Sequence, residues 1–346
     1  MHATFIPYRL ASAFLNDKLA AASLPPPQVG IICGSGLSEL SDALEGATLS
    51  VQYSDIPGFP EHCTVPGHKG EVVFGLLGGV PTMCFRGRFH SYEGHDMKTV
   101  VLPVHVMRCL QVRVVIVTNA AGGLNPLYNV GDVAIVSDHL AIPSLAGKNS
   151  LVGPNDEALG PRFPPTSDAY PQFLRDAAQQ AAAQLNFNFV RPEGACYCFV
   201  SGPMYESKAE CRFLLSLGGD TVGMSTVPEI LAGHHCGMKM LCLSLVTNKV
   251  IIGGDEGPAA SHAEVLDAVS GRAIEMQALV REIVVVLNSD VLPILEELQI
   301  IDLKVPPQPL RKRRFFDIPI QYFVSTAVIV LAVSAVFGTK LIKIKA

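Results

Sequence analysis

Short, uninterrupted runs of branched apolar residues, each followed by a stretch of helical periodicity, constrain this chain most. Val29-Gly30-Ile31-Ile32, Val72-Val73-Phe74, Val114-Val115-Ile116-Val117 and Met240-Leu241-Cys242-Leu243 show no alternating polar face. A strand of that kind has to be buried on both sides, as in a sheet covered by helices. Residues 1–25, 98–110, 171–186, 206–217, 226–236 and 262–287 read as helices lying between and after these runs. The alternation predicts an α/β fold with a central, largely parallel or mixed sheet flanked by helices. With 49% apolar and 16% charged residues, the chain can fill such a core. No internal repeat is visible.

Charge and cysteine usage exclude several functions. The formal charge is −5, and no lysine–arginine block precedes residue 311. A nucleic-acid partner for the main body is therefore not expected. The nine cysteines have no metal-like spacing. Cys196 and Cys198 flank Tyr197 in an apolar run that reads as a strand with buried thiols. His234-His235-Cys236 follows a helical stretch without a nearby carboxylate or CxxC, so no metal site is expected. The thiol inventory suits a reduced, cytoplasmic setting. The segment MHATFIPYRL lacks the long apolar stretch of a secretory signal.

Several of the apolar runs end in small or polar clusters: Gly34-Ser35-Gly36, Thr118 to Gly123, Gly223-Met224-Ser225-Thr226, and Thr247-Asn248-Lys249. Open α/β sheets bind ligands at the carboxyl ends of their strands. Four such clusters meeting at one sheet edge would make one site.

The residues in and near these clusters suggest what that site binds. Gly34-Ser35-Gly36-Leu37 can open a helix whose amides face an anion, although a GSG turn alone is equally a structural feature. It is neither a Walker loop nor a full GxGxxG. Arg88 offers a planar donor fork suited to phosphate oxygens, and His90 a second donor. His68, in a glycine-containing loop, is a third. Ala120 would offer only its N–H, in a segment that reads as well as a tight turn. Ser225 reads as the start of a helix and could bind phosphate there. Tyr92 offers a ring and a hydroxyl suited to a sugar. Tyr205 could stack on a flat base, and Glu206 could accept from its ring N–H groups. Asn248 could both donate to and accept from a purine. Taken alone, Glu206 is equally a solvated carboxylate at a helix start.

Nine motifs in order carry a resemblance: ICGSGL, VPGHKG, GRFHSYEG, VTNAAGGLN, GDVAIVSDHL, GPRFP, GPMYE, VGMSTVPE and LVTNKV. From about residue 28 to about residue 290 the chain resembles the purine nucleoside phosphorylases of the homotrimeric, 6-oxopurine-preferring class. The resemblance implies a single phosphorylase-type α/β domain with a mixed sheet. It implies phosphorolysis of nucleosides such as inosine and guanosine to free base and (deoxy)ribose 1-phosphate. Phosphate would be a co-substrate, with no cofactor or metal. By motif, Ser35, His68, Arg88, His90, the Ala120 amide and Ser225 would hold phosphate. Glu206 and Asn248 would hold the purine, with Tyr205 stacking. Glu206, Asn248 and His90 would carry catalysis. Tyr92 and Met224 would line the ribose, and His262 would reach its 5′-hydroxyl. Phe163 would close a neighbouring subunit's site in a homotrimer. Two features depart from the pattern. Tyr205 stands where the family has phenylalanine, and the segment from Ile252 to Gly257 is unusually rich in glycine.

Two other readings compete. A methylthioadenosine phosphorylase shares the fold and phosphate site; Asn248 and Gly223-Met224-Ser225 favour the purine nucleoside enzyme. A catalytically silent, membrane-tethered nucleoside-binding protein is the other, and the full set of phosphate donors argues against it. The organisation expected is a catalytic domain over 1–300, a Pro-rich and basic linker over 301–317, a candidate transmembrane helix over 318–339 and a basic tail over 340–346. Residues 318–339 carry no charge and are long enough to span a bilayer. That segment reads as a tail anchor, its orientation poorly set by the basic residues on both sides, and the lack of a signal peptide suggests a cytoplasmic catalytic body; the competing reading is a mispredicted gene end.

Overall fold

The structure, a computed structural model, describes residues 6–61, 63–253 and 261–304. The chain runs α1 (Ile6–Ala21), β1 (Val29–Ile32), β2 (Glu45–Gln52), β3 (Glu71–Leu77), β4 (Val80–Arg86), α2 (Met97–Val100), α3 (Leu102–Cys109) and β5 (Val114–Gly123). It continues through β6 (Val133–Ala141), α4 (Ile142–Leu145), α5 (Gln172–Gln184), β7 (Val190–Phe199), α6 (Lys208–Ser216) and β8 (Thr221–Gly223). Last come α7 (Val227–His235), β9 (Lys239–Lys249), α8 (His262–Ser270) and α9 (Ala273–Val286).

The nine strands form one mixed sheet in the order β2-β3-β4-β1-β5-β8-β7-β6-β9. The long strand β5 also pairs in parallel with β9, so β5, β8, β7, β6 and β9 close into a ring. β1 lies parallel to both β4 and β5. The carboxyl ends of β4, β1, β5 and β9 therefore reach the same edge.

Strand alternation builds two cores. Val29 and Ile31, Val114 and Ile116, and Leu241 and Leu243 face one side, packed against α5 and α9. Ile32, Val115, Val117 and Cys242 face the other, packed against α1, α3 and α7. α5 buries Leu174, Ala177, Ala178, Ala181 and Ala182; α9 buries Met276, Leu279, Val280, Ile283 and Val284. Both sets follow the spacing of one helix face. The expected α/β fold with a helix-flanked mixed sheet is what the chain adopts.

Four local expectations are corrected. Residues 98–110 form two helices rather than one. Pro103 lacks an N–H and crowds the preceding turn, so the chain breaks at Val101 and restarts. The stretch 262–287 is likewise divided, at Gly271-Arg272. Thr118 to Gly123 is not a turn: it continues β5, because both β9 and β8 supply hydrogen-bonding partners. After Leu37 comes only a six-residue 3-10 turn, Ser38–Ala43, instead of an α-helix. Ser225 precedes α7, whose N-cap is Thr226. The expected segments 318–339 and 340–346 lie outside the described residues. Among those residues, no helix is long and apolar enough to cross a membrane.

Candidate active site

A cleft of about 370 Å³ opens at the shared strand edge. Ser35, His90, Ala120 and Ser225 line one part and Tyr205, Glu206 and Asn248 another: His90 and Ser225 also border one adjoining pocket, and Tyr205, Glu206 and Asn248 a different one. Tyr92, Met224 and His262 lie on its wall as well. Ten of the thirteen residues singled out in the sequence therefore share one cavity.

Ser35 leaves β1 through Gly34, which passes close to β5. A Cβ on Gly34 would stand 2.7 Å from Asn119 Cα and 2.8 Å from the Thr118 carbonyl oxygen. Both are backbone atoms, so a side chain there would push the loop off the strand. Behind Ser35 sits His68. The Arg88 backbone N–H donates to His68 Nδ1 at 2.9 Å, which leaves the proton on Nε2. Burial pushes His68 down to about 3, so this neutral tautomer persists at pH 7. Its Nε2 lies 3.1 Å from Ser35 Oγ and donates to it. The Ser35 hydroxyl proton is then free for the cleft. His68 thus aims a donor without itself lining the cavity.

Arg88 is also set behind the cleft wall, at 2% exposure. Its Nη1 donates to Ser225 Oγ at 2.7 Å and to Thr226 Oγ1 at 3.2 Å. Its Nη2 donates to the Thr118 carbonyl oxygen at 2.5 Å. Its Nε stands 3.4 Å from Glu229 Oε1. With Ser225 Oγ accepting from Arg88, that hydroxyl proton too is available to a ligand. The positive guanidinium supplies the field behind it.

His90 sits at the N-cap of a 3-10 turn, Ser91–Glu93, and bonds through Nδ1 to Glu93 Oε1 at 3.0 Å. Burial opposes ionisation of Glu93, but bonds from His90 and Thr64 outweigh it and bring the carboxyl down to about 2. Glu93 is therefore an acceptor, and His90 Nδ1 carries the proton. Burial also lowers His90, against the pull of Glu93, so the ring is neutral near pH 7. Its other nitrogen is therefore an acceptor for a protonated phosphate oxygen, and not the donor expected from the sequence. The imidazole stacks on Tyr92, centroids 4.6 Å apart.

At the opposite end, a register shift in the β5–β9 ladder shapes the site. Ala121 pairs with Val246 but Gly122 with Asn248, which makes Thr247 an extra residue in β9. Such a bulge reverses which face the following side chain takes. It aims Asn248 into the cleft. The Thr247 hydroxyl, 3.3 Å from both the Ala121 carbonyl oxygen and Asn248 Oδ1, faces the amide oxygen. Among the described residues, the amide NH2 has no hydrogen-bond partner. Glu206 is half-buried, and burial raises its carboxyl above the ordinary range. Gly202, at φ +64°, shapes the sugar wall: a Cβ would meet Met224 Sδ at 2.4 Å and Tyr92 Cδ1 at 3.2 Å. Only glycine fits there.

Phe163 is not in this cleft. It is 86% exposed on a loop clamped from behind by α7. His234 Nε2 lies 2.9 Å from the Pro165 carbonyl oxygen, and His235 Nε2 lies 3.0 Å from that of Pro161. The two histidines that a sequence reader weighs for metal thus hold this loop. The glycine-rich loop 254–260 before His262 lies outside the described residues. Glu93, Thr226 and Glu229 also shape the site, though none was singled out as a site residue from the sequence. GRFHSYEG and VGMSTVPE contain all three, but nothing in the motifs marks them as partners of His90 and Arg88.

Residues 28–285 match the phosphorylase superfamily. The chain is 46% identical over 254 residues to the purine nucleoside phosphorylase of Bos taurus, covering 73% of this chain and 87% of that one. Schistosoma mansoni purine nucleoside phosphorylase in complex with inosine superposes with a TM-score of 0.76 at 40% identity, covering 82% of this chain and 98% of the other. The same enzyme in complex with adenosine gives a TM-score of 0.75 at 40% identity, covering 80% and 96%.

Proposed function

The chain belongs to the phosphorylase superfamily, with the purine nucleoside phosphorylases, and we propose on that premise how its cleft divides the reaction among its residues. Inorganic phosphate attacks the anomeric carbon of a purine nucleoside. A C1′–O bond forms as the C1′–N9 bond breaks; the bonding pair leaves with the base, which takes up the proton that hydrogen phosphate gives up. The products are free purine and ribose 1-phosphate, or the deoxyribose ester. The observation that carries this reading is the pairing of hydroxyl donors at one end of the cleft with an amide and a carboxylate at the other.

Phosphate is assigned to Ser35, His90, the Ala120 amide and Ser225, with His68 and Arg88 behind them. Positive charge grows on the ribose as the base departs, as in glycoside cleavage. A phosphate anion below the sugar offsets it. Negative charge grows on the purine, and the free NH2 of Asn248 can donate to N7 or O6. Glu206 accepts from the ring N–H groups and fixes the plane of the base, with Tyr205 against one face. Tyr92, Met224 and His262 are assigned to the ribose. Phosphate is itself the nucleophile, so the scheme uses no activated side chain, cofactor or metal. The protein contributes orientation and preorganised donors.

The deciding measurement is base release from inosine, guanosine, adenosine and methylthioadenosine, with and without phosphate. Phosphate-dependent turnover with inosine and guanosine far ahead of adenosine is expected, since Asn248 can donate to O6. The related adenosine complex makes binding a poor criterion, so kcat/KM has to be compared. Equal rates on adenosine would overturn the 6-oxopurine assignment.

The homotrimer is part of the same proposal. Phe163, held outward on its clamped loop, supports a contact with a neighbouring subunit's cleft. Phe163→Ala should raise the nucleoside KM about tenfold, the loss expected for one apolar contact. Phosphate KM should stay constant; an unchanged nucleoside KM would refute the contact. The uncharged residues 318–339, with basic residues on both sides, support a membrane tether. Native protein should then resist carbonate extraction from membranes, and its release into the supernatant would refute the tether.

A further inference from the structure

Glu229 is a buried carboxylate to which the scheme above gives no task. It lies in the first turn of α7, three residues after the N-cap Thr226 and four after Ser225. Its side chain is 3% exposed and that of Arg88 2%, with Oε1 3.4 Å from Arg88 Nε. Neither Arg88 Nε nor Glu229 Oε2 has a hydrogen-bond partner among the described residues. A half-satisfied carboxylate in a protein interior is costly and calls for a reason. A pocket of about 10 Å³, bordered by Glu229, Thr226, Ser225 and His90, adjoins it at the back of the cleft.

The guanidinium is held on three sides. Thr118 takes Nη2, Ser225 and Thr226 take Nη1, and Glu229 faces Nε. Ser225 is the one among these partners whose side chain also lines the cleft. Turning the fork about its own plane would move Nη1 off Ser225. Among the described residues, Glu229 is the carboxyl placed to oppose that turn, and the same helix start carries it, Thr226 and the end of the Ser225 segment.

We propose that Glu229 is a positioning residue for phosphate: it grips Arg88 at Nε and so keeps Nη1 on Ser225 at the phosphate end of the cleft. The proposal rests on the phosphate-site reading above.

The test uses the full chain and inosine phosphorolysis with phosphate varied. Glu229→Ala should raise the phosphate KM about tenfold to a hundredfold, the range for leaving one buried charged group without its partner. The inosine KM should be unchanged, and kcat should fall less than the phosphate KM rises. Glu229→Gln keeps an oxygen for Nε and should return the phosphate KM to within about threefold of the natural protein. If Glu229→Ala does not fold, Glu229→Asp takes its place: it keeps the charge, withdraws the arm and should raise the phosphate KM. A phosphate KM that stays put in Ala or Asp overturns the proposal. So does an equal rise in both KM values that Gln fails to rescue. Arg88→Ala separates the two levels. If it leaves phosphate KM unchanged, the phosphate-site reading fails; if it raises it while the Glu229 variants do nothing, this inference alone fails.

Discussion

Glu206→Ala and Asn248→Ala should each lower kcat/KM for inosine by about a hundredfold to a thousandfold, the usual effect of deleting one preorganised group that meets developing charge. The two losses should differ in kind. The Asn248 amide meets charge that exists only as the base departs, so kcat and kcat/KM should fall together. Glu206 holds the ring before and during the reaction, so its loss should raise the nucleoside KM as well. Neither side chain supports a core: both line the open cleft. Thermal unfolding should therefore move little. Steady-state kinetics with inosine and phosphate decide the matter. Near-normal turnover in both variants would remove the base-end assignment.

The parts of this fold written in local pattern were legible. Continuous apolar runs marked β1, β5 and β9 because those strands are buried on both faces. The helical stripes of α5 and α9 were equally plain. What failed was local detail set by distant partners. Thr118 to Gly123 looks like a turn, yet β8 and β9 extend it as strand. The bulge at Thr247 depends on the pairing between β5 and β9, and no window of sequence contains both. Asn248 could be named by its motif, but the geometry that turns it into the cleft could not. His68 and Arg88 were named as phosphate ligands; their places behind Ser35 and Ser225 follow from tertiary hydrogen bonds. Glu229 was invisible for the same reason. A glutamate in a first helical turn is ordinary, and only the fold brings a buried arginine from more than a hundred residues away against it.

Arg88→Leu should abolish saturation by phosphate and destabilise the protein by about 3–5 kcal/mol, the range for leaving one member of a buried pair without its partner. The destabilisation should depend on pH in a defined direction. Burial already raises the Glu229 carboxyl above its ordinary value of 4.5, and the Arg88 charge works against that rise. Without Arg88 the carboxyl rises further. In the folded protein it then holds its proton at pH values where the unfolded chain has released it. Stability is accordingly retained at low pH and lost as pH climbs from about 4.5 through the raised folded value. The melting temperature of Arg88→Leu, taken relative to the natural protein, should thus fall as pH rises above about 4.5. Adding Glu229→Leu removes the stranded acid and leaves two apolar side chains in place of the pair. Such replacements of a buried pair are often neutral or stabilising. The double variant should regain much of the lost stability and lose the extra pH dependence. It should remain without phosphate saturation, because the cation behind Ser225 is still missing. A double variant no more stable than Arg88→Leu would show that Glu229 is not what the single substitution strands. Recovery of stability without recovery of turnover would place the pair's value in phosphate binding, with the fold able to do without it.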